Sequence, residues 1–331
     1  MSFLSIIVPT YNSQHSIEGC LKSIRNSLYK DYELIIVDDG SSDQTVALAQ
    51  PYADRIVKLA ENSGWAAARQ AGINAARGSI VVNVDSDILI RSDTLLKIKN
   101  YFDGHKNVDA LTGMLSRECP ARGFFSQYKN LYMHYIFRRL PPSVTFVYGS
   151  IYAAKKEALA DLRPFVKIAD DTAFGQQLVL YGRSIAFLPD LEVVHLKRYS
   201  LFSFVRNDFR IPFDWARLFI RYKGWKEMLQ RKAGFAHASN GQIASVSLAP
   251  LILYLACLAV ATKTAFAQTA LLTTLFIWFL LNFSFIVFLG KEKGGIFAVQ
   301  SGVVTFFDQL VMGAGIFCGF FSYSFLNRKN G

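Results

Sequence analysis

Residues 33–43 read ELIIVDDGSSD, a short apolar run that ends in two aspartates and a glycine-serine turn. The run is β-branched and too short for a helix, so it predicts a buried parallel strand. FLSIIV at 3–8 and SIVVNV at 79–84 repeat this pattern. Stretches with helical spacing lie between the runs, at 14–28 and in the alanine-rich 64–77. Because strand and helix alternate, the sequence predicts a doubly wound α/β sheet.

Polar side chains follow each of these three strands. They are Tyr11 and Asn12 after the first, Asp38 and Asp39 after the second, and Asp85 and Asp87 after the third. Ligands of open α/β sheets bind beyond the carboxyl ends of the strands, where the strand order reverses. The sequence therefore predicts a ligand site at this edge of the sheet.

Each acidic motif has a catalytic and a structural interpretation. Asp38 and Asp39 can accept hydrogen bonds from a base or a ribose, or they can close a turn before the next helix. Asp85 and Asp87 can hold one hard cation through oxygen, and that cation can hold a diphosphate. Mg²⁺ and Mn²⁺ suit such ligands. A helix cap is the alternative for this pair, and both interpretations stay open at this point.

Charge and hydropathy divide the chain into three regions. Residues 1–195 carry a net charge of +1, residues 196–243 carry +7, and the remainder carries +3. A nearly neutral first region predicts no nucleic-acid partner, because that affinity comes from clustered phosphate neutralisation. The basic region directly precedes an apolar tail and suits an anionic membrane surface. Four cysteines without paired spacing indicate neither a disulfide framework nor a zinc site.

The tail predicts three membrane spans. Residues 244–262 carry no charge over a length that crosses most of a bilayer core. Further spans are expected at about 267–290 and 296–325. The last contains Asp308, a costly intramembrane carboxylate, so a re-entrant hairpin stays an alternative. The positive-inside rule predicts a plasma-membrane protein with its first 195 residues in the cytoplasm.

The basic region mixes aromatic and arginine residues, which is typical of helices that lie along the headgroups. A solvated basic helix packed on the soluble domain is the alternative. In the third apolar segment, Gly315 and Gly319 form a GxxxG pattern, which predicts a helix-packing face.

Taken in order, the motifs resemble family 2 glycosyltransferases with the GT-A fold. The matching segments are SIIVPTYN (5–12), ELIIVDDGSSDQT (33–45), ENSGWAAARQAGINAARGSIVVNVDSD (61–87), VYGSIYAAKKEAL (147–159) and DDTAFGQQLVLYG (170–182). The resemblance covers most of residues 1–195. It implies a GT-A catalytic domain at 1–195, a basic amphipathic region at 196–243 and a transmembrane region at 244–326.

The resemblance also implies roles for single residues. Binding of the nucleotide sugar falls on Pro9, Tyr11, Asp38, Asp39, Arg69 and Asp85, and binding of the metal, Mg²⁺ or Mn²⁺, falls on Asp87. The catalytic base falls on Asp171, which would take the proton of the acceptor hydroxyl in an inverting transfer. Asp170 and Asp171 could instead only cap the helix that begins near Thr172.

Several weaker assignments complete the expected site. His195 closes the last apolar strand and is either a further metal ligand or a structural histidine. Gly149 and Ser150 lie where an acceptor-side turn is expected, because small residues let a substrate approach the backbone. Asp170, Arg206 and Arg210 are also placed on the acceptor side.

One departure from the family limits the expected reaction. Processive members carry a Gln-x-x-Arg-Trp signature after the base, whereas residues 206–210 here read RNDFR. The expectation is therefore transfer of one sugar, from a UDP-sugar by preference, to a lipid or lipid-linked acceptor. A polyprenyl phosphate acceptor, which needs no base, and an inactive membrane-tethered scaffold stay as alternatives. A dehydrogenase is not expected, because PTYN stands where its glycine-rich turn would be.

Overall fold

The structure is a computed structural model, and it describes residues 3–160, 162, 170–222 and 237–326. The chain divides into two units, Met1–Arg198 and Tyr199–Gly331. The first unit is α/β and the second is helical. The predicted alternation of strand and helix is confirmed.

Strands and helices of the first unit follow one another along the chain. They are β1 (Leu4–Thr10), α1 (Ile17–Arg25), β2 (Tyr32–Asp38), α2 (Thr45–Ala49), β3 (Arg55–Lys58), α3 (Trp65–Ala75), β4 (Ile80–Val84), β5 (Ile88–Leu89), α4 (Thr94–Gly104), β6 (Ala110–Leu115), α5 (Phe124–Phe137), β7 (Ile151–Lys155), α6 (Lys156–Leu159), α7 (Asp170–Leu180) and β8 (Ile185–His195). Helix α1 ends before Leu28, which the helical spacing had included; that side chain is 65% exposed.

The sheet is mixed and has the strand order β3-β2-β1-β4-β7-β6-β8-β5. Strands β1 to β4 pair in parallel, so β1, β2 and β4 end at the same edge. Strand β7 runs antiparallel to β4 and begins where β4 ends, with Val84 opposite Ile151. The turn before β7 therefore reaches the edge at which the first three strands end.

Apolar side chains cover both faces of this sheet. Ile6, Leu34 and Val82 belong to the cluster on one face, and Ile7, Ile35 and Val81 belong to the cluster on the other. Neighbouring residues of one strand thus face opposite sides, as the pleat requires. Because both faces are covered, the strands read as continuous apolar runs.

The second unit consists of four described helices. They are α8 (Leu201–Arg221), α9 (Asn240–Thr262), α10 (Ala265–Lys293) and α11 (Gly295–Leu326). The last three are long and apolar enough to cross a membrane. Helix α11 is continuous, so the re-entrant hairpin left open by the sequence is not formed.

Helix α8 packs along α11, at the predicted GxxxG face. A Cβ atom on Gly315 would lie 2.3 Å from the carbonyl oxygen of Phe209, and one on Gly319 would lie 2.4 Å from that of Phe213. The two contacts are four residues apart on both helices, so the helices run in the same direction. Glycine is required here because only a residue without a side chain lets the backbones approach so closely.

A cluster of four buried polar side chains joins α9, α10 and α11. The Oε1 atom of Gln309 accepts hydrogen bonds from Ser245 at 3.0 Å and from the indole of Trp278 at 2.5 Å. Its amide donates to the Oδ1 atom of Asn282 at 2.9 Å, and Asn282 donates to Ser245 at 2.6 Å. The cluster therefore fixes the register of three apolar helices by neutral hydrogen bonds.

Candidate active site

The loops after β1 and β2 bind each other at the carboxyl edge of the sheet. The side-chain oxygen of Asn12 accepts a hydrogen bond from the amide of Ser42 at 2.9 Å, and the amide of Asn12 donates to Ser41 at 3.0 Å. Pro9, near the end of β1, is buried, and Tyr11, directly after β1, is 48% exposed. Tyr11 thus presents a ring face on which a base can stack.

The aspartates at the end of β2, Asp38 within the strand and Asp39 after it, are buried and accept hydrogen bonds from backbone amides. Asp39 accepts hydrogen bonds from the amides of Ser63 and Gly64, both at 2.8 Å, directly before α3. Asp38 accepts one from the amide of Ser41 at 3.2 Å. Asp38 therefore makes the local turn contact that the structural interpretation expected, whereas Asp39 binds the segment before α3 rather than the turn before the next helix. Both carboxylates lie at the edge where ligands of open α/β sheets bind.

Asp85 lies directly after β4 and forms an ion pair with Arg69 from α3. The guanidinium of Arg69 is buried, and its Nη2 atom lies 3.0 Å from Oδ1 of Asp85. The backbone amide of Asp85 donates to the carbonyl oxygen of Ser150 at 3.2 Å. The first aspartate of the Asp-Ser-Asp motif is thus held by both α3 and the turn before β7.

Asp87 meets His195 because β5 and β8 pair with Ile88 opposite His195. Nε2 of His195 lies 3.2 Å from Oδ2 of Asp87. Burial by itself would raise the pKa of the Asp87 carboxyl. The hydrogen bond to His195 and the charges of His195 and Lys197 outweigh this effect, so the pKa lies below its ordinary value. The carboxylate is therefore charged at neutral pH.

The side chains of Asp87 and His195 can provide two protein ligands for a divalent cation. A carboxylate oxygen and an imidazole nitrogen are both donors that Mn²⁺ accepts, and Mg²⁺ prefers one or two carboxylates completed by phosphate and water. Within the part of the chain that the structure describes, no three His, Cys, Asp or Glu side chains converge as a metal site. The donor set thus fits a cation that substrate phosphates complete.

Asp171 lies in the first turn of α7, where the helix dipole favours a negative charge. Its Oδ1 atom accepts a hydrogen bond from the amide of Thr172 at 2.7 Å, and its Oδ2 atom accepts one from the amide of Gly149 at 3.3 Å. The helix begins at Asp170, two residues before Thr172. The capping interpretation of Asp171 is therefore partly realised, while its second oxygen faces Gly149.

Gly149 contacts both Arg69 and Asp171. Its carbonyl oxygen accepts hydrogen bonds from Arg69 at 3.3 Å and from the side chain of Asn83 at 2.7 Å. The structure thus connects Asp85, Arg69, Gly149 and Asp171 by direct contacts. A Cβ atom on Gly149 would lie 3.0 Å from Arg69 and 3.2 Å from Asp171, so a larger residue would push them apart.

The remaining predicted residues lie elsewhere. Pro9 and Asp38 lie at the carboxyl ends of β1 and β2, and Tyr11 and Asp39 directly follow these strands. A 2.9 Å contact between Ser13 and Ser86 joins the loop after β1 to the Asp-Ser-Asp motif. Arg206 and Arg210 are exposed on α8 in the second unit. Asp170 begins α7, but its side chain lies outside the described residues.

Sequence reasoning missed two polar residues of this site. Asn83 is buried within β4, and Thr112 is buried within β6, where it binds the turn before β7. A polar residue inside an apolar strand was the available signal, because a buried amide needs hydrogen-bond partners.

A nucleotide-binding α/β fold with carboxylates at the strand ends is the class that this geometry defines. Residues 5–163 match the model of Glycosyl transferase family 2. The chain therefore carries a family 2 glycosyltransferase domain, and its fold is GT-A.

Two curated relatives and one solved structure illustrate the similarity. The chain is 27% identical over 208 residues to the poly(ribitol-phosphate) beta-glucosyltransferase of Bacillus spizizenii, covering 58% of this chain and 32% of the relative. It is 38% identical over 94 residues to the dodecaprenyl-phosphate galacturonate synthase of Rhizobium johnstonii, covering 26% and 28%. The chain thus spans about a third or less of these relatives.

The solved structure is a mannosyltransferase from Pyrobaculum calidifontis in complex with GDP-Man and Mn²⁺. Its TM-score is 0.59 at 19% identity, and the similarity covers 98% of this chain and 87% of the mannosyltransferase. At this identity the likeness establishes the fold.

Proposed function

We propose that this protein transfers one sugar from a nucleotide sugar to a lipid or lipid-linked acceptor, with inversion, at the cytoplasmic face of a membrane. The observation that carries the proposal is the contact chain from Asp85 through Arg69 and Gly149 to Asp171. It supports the proposal because the buried guanidinium of Arg69 and two carboxylates lie beside the strand ends, where ligands of open α/β sheets bind.

The nucleotide binds at the loops after β1 and β2. The exposed ring of Tyr11 stacks on the base beside Pro9, while Asp38, Asp39 and Asp85 accept hydrogen bonds from the nucleoside. Arg69 neutralises Asp85, so that a diphosphate can approach. UDP is the nucleotide that we favour.

Asp87 would hold the divalent cation, Mg²⁺ or Mn²⁺, and His195, 3.2 Å from Asp87, would be its second protein ligand. When bound, such a cation stabilises the negative charge on the departing nucleoside diphosphate. The low pKa of Asp87 keeps its carboxylate ready for this role.

Asp171 is the catalytic base. The acceptor hydroxyl oxygen attacks the anomeric carbon while its proton moves to the Asp171 carboxylate. The new glycosidic bond forms as the bond from the anomeric carbon to the diphosphate oxygen breaks, and the electron pair leaves with the nucleoside diphosphate. The Gly149 amide, at 3.3 Å, holds the Asp171 carboxylate during this step.

Three apolar helices support a membrane-bound acceptor. Arg206 and Arg210 of α8 are both exposed and add positive charge for a lipid headgroup; Arg210 also lies 3.8 Å from Asp214 on the same helix. Lys and Arg outnumber acids by ten to three in residues 196–243, which favours the cytoplasmic side. Accessibility of residues 1–195 to protease from the outer face of sealed cells would contradict this orientation.

The decisive variant is Asp171→Asn in the full chain, purified in detergent. With a hydroxyl acceptor, we expect turnover to fall by about 10²- to 10⁴-fold, the range that general base catalysis supplies. Asp190→Asn is the matched control, because Asp190 is an exposed aspartate on β8. Unchanged turnover in folded Asp171→Asn would refute the base assignment.

A polyprenyl phosphate is the second candidate acceptor. The Rhizobium johnstonii relative supports it, because that protein is a dodecaprenyl-phosphate galacturonate synthase. A phosphate oxygen is already anionic, so sugar transfer to it needs no base. Transfer to polyprenyl phosphate at the wild-type rate by Asp171→Asn would support this acceptor.

Nucleotide binding is tested separately from transfer. We expect UDP with Mn²⁺ to raise the thermal stability of the purified chain more than GDP or dTDP does, and more than UDP with a chelator does. No stabilisation by any nucleotide, in folded protein, would favour the inactive scaffold.

A further inference from the structure

We infer that Asn83 is a positioning residue: it orients the turn that holds Asp171 without itself contacting substrate. The inference rests on the proposed function, since it concerns the same base. It begins with the position of Asn83 inside β4, between β1 and β7, where neighbouring residues of the strand are apolar. Such a central strand offers an amide side chain no water, so its contacts have to be within the protein.

The contact that Asn83 makes is with the centre of a turn. Tyr148, Gly149, Ser150 and Ile151 form this turn, which is closed by a hydrogen bond from the amide of Ile151 to the carbonyl oxygen of Tyr148 at 3.0 Å. Nδ2 of Asn83 donates to the carbonyl oxygen of Gly149 at 2.7 Å. The shortest side-chain hydrogen bond to this carbonyl therefore comes from Asn83.

Thr112 holds the same turn at its two ends. Its hydroxyl accepts a hydrogen bond from the amide of Tyr148 at 2.8 Å and donates to the carbonyl oxygen of Ile151 at 3.0 Å. The centre still contains a glycine, whose backbone has more freedom than that of any other residue. Asn83 restricts this freedom, because its hydrogen bond fixes the carbonyl group of Gly149. This carbonyl lies on the other side of the Cα atom from the Gly149 amide, which contacts Asp171.

Fixing Gly149 matters for the base because the Gly149 amide donates to Asp171. That bond is 3.3 Å long, so a small rotation of the turn would break it. Arg69 also reaches the Gly149 carbonyl, but at 3.3 Å and while bound to Asp85 at 3.0 Å. A neutral amide at Asn83 thus orients the turn and leaves the charge of Arg69 to Asp85.

Asn83→Leu tests the inference, because leucine has a similar size and no hydrogen-bond donor. With a hydroxyl acceptor we expect kcat to fall about 10- to 100-fold, as expected for a misplaced catalytic group. The KM for the nucleotide sugar should change less than about threefold, because Arg69 still binds Asp85. Asn130→Leu is the control: Asn130 is also a buried asparagine that donates to a carbonyl, that of Ser116, at 2.9 Å.

The double variant separates positioning from a general structural effect. If Asn83 acts through Asp171, then Asn83→Leu should lower kcat by less than about twofold in the Asp171→Asn background. Multiplicative effects, an unchanged kcat in Asn83→Leu alone, or an equal loss in Asn130→Leu would overturn the inference. If Asn83→Leu does not fold, Asn83→Ser replaces it in the same cycle.

Failure of the proposed function looks different in this experiment. If the wild type transfers no sugar, or if Asp171→Asn is fully active with hydroxyl acceptors, the base assignment itself is wrong. If Asp171→Asn loses activity while Asn83→Leu keeps it, only the positioning role is wrong.

Discussion

Two groups of polar side chains, one in each unit, differ in charge and in how they are satisfied. In the helical unit, Ser245, Trp278, Asn282 and Gln309 bind one another through neutral hydrogen bonds. In the α/β unit, charged side chains such as Arg69, Asp85 and Asp87 converge at one edge of the sheet. Neutral side chains that satisfy one another's hydrogen bonds stabilise one arrangement of the helices. Charged side chains that converge at the edge of the sheet can interact with a ligand that carries phosphate and hydroxyl groups.

Removing a charge from the converging set should have the largest effect. In Asp87→Ala, we expect the rate of sugar transfer to fall by about 10³-fold, equivalent to about 4 kcal/mol of transition-state stabilisation. Folding should be retained, because Asp87 lies at the rim of the sheet and contacts mainly His195. The measurement is the initial rate at saturating Mn²⁺.

Asp93→Ala is the control for this comparison, since Asp93 lies a short distance after the motif and pairs with Lys97 on the surface. Full activity of Asp87→Ala after chelation would remove the metal from the mechanism. Loss of folding in Asp87→Ala would instead make this aspartate structural, like the residues of the helical unit.

In the helical unit, we expect stability to depend more on the size of a side chain than on its charge. In Gly315→Ala, the new Cβ atom would meet the carbonyl oxygen of Phe209 at 2.3 Å, so α8 and α11 must separate. Overpacking of this kind costs about 1 to 3 kcal/mol. We expect a lower unfolding temperature in detergent. Gly313→Ala on the same helix meets only ordinary contacts at 3.7 Å and should be neutral.

If both glycine variants unfold at the wild-type temperature, the close packing of α8 on α11 is wrong. The outcome also bears on the interpretation of α8 as a helix along the headgroups, which stays a prediction. If the backbones of α8 and α11 are in contact, the axis of α8 has to run along the axis of α11.

Gln309→Leu probes the neutral network directly. The change leaves the hydroxyl of Ser245 and the indole of Trp278 without their acceptor. Hydrogen bonds between membrane helices contribute about 0.6 kcal/mol on average and up to about 1.7 kcal/mol. We therefore expect a loss of about 1 to 2 kcal/mol in unfolding free energy and little change in turnover. Gln300→Leu is the control, because Gln300 is exposed on the same helix.

A large loss of turnover in folded Gln309→Leu would break the comparison, since the neutral network would then serve the reaction as well as the packing.

The sequence predicted what depends on local pattern. Strand periodicity and the carboxylates at strand ends were sufficient to predict that Asp85 and Asp87 lie at one edge of the sheet, and the glycine spacing predicted the packing face at Gly315; Asp171 came only from the resemblance to the family. Asn83 and Gln309 were not identified, because each acts across elements whose register the sequence does not reveal. Asn83 meets a turn 66 residues later in the chain, and Gln309 meets Ser245 across 64 residues.

His195 is intermediate between the residues that the sequence predicted and those that it did not. Its position at a strand end was visible in the sequence, but its contact with Asp87 depends on the pairing of β5 with β8, 108 residues apart. The sequence alone could therefore not choose between a structural histidine and a metal ligand.

The smallest expected effect concerns a charge that lies far from the site and is satisfied within the protein. Glu33 is buried at the start of β2 and accepts hydrogen bonds from Ser5 at 2.5 Å, the backbone amide of Arg77 at 2.7 Å and Nε of Arg77 at 2.9 Å. Burial by itself raises the pKa of the Glu33 carboxyl, but these bonds outweigh burial and hold it below the ordinary value of 4.5. A charged group can thus be as fully bound as the neutral cluster.

A carboxyl group with a lowered pKa stabilises the folded state above its unfolded pKa, and this stability is lost as the pH falls through the folded pKa. We therefore expect the unfolding temperature of the wild type to fall below about pH 4.5, and Glu33→Gln to fall less steeply. At pH 7 the variant should lose about 1 kcal/mol, a modest amount because the Arg77 side chain is 72% exposed and water screens its charge. Glu61→Gln, an exposed control, should follow the wild type. Parallel curves for Glu33→Gln and the wild type would mean that the negative charge of Glu33 contributes nothing to the stability of the folded state. Among the charges compared, only those at the candidate active site would then have a measurable effect.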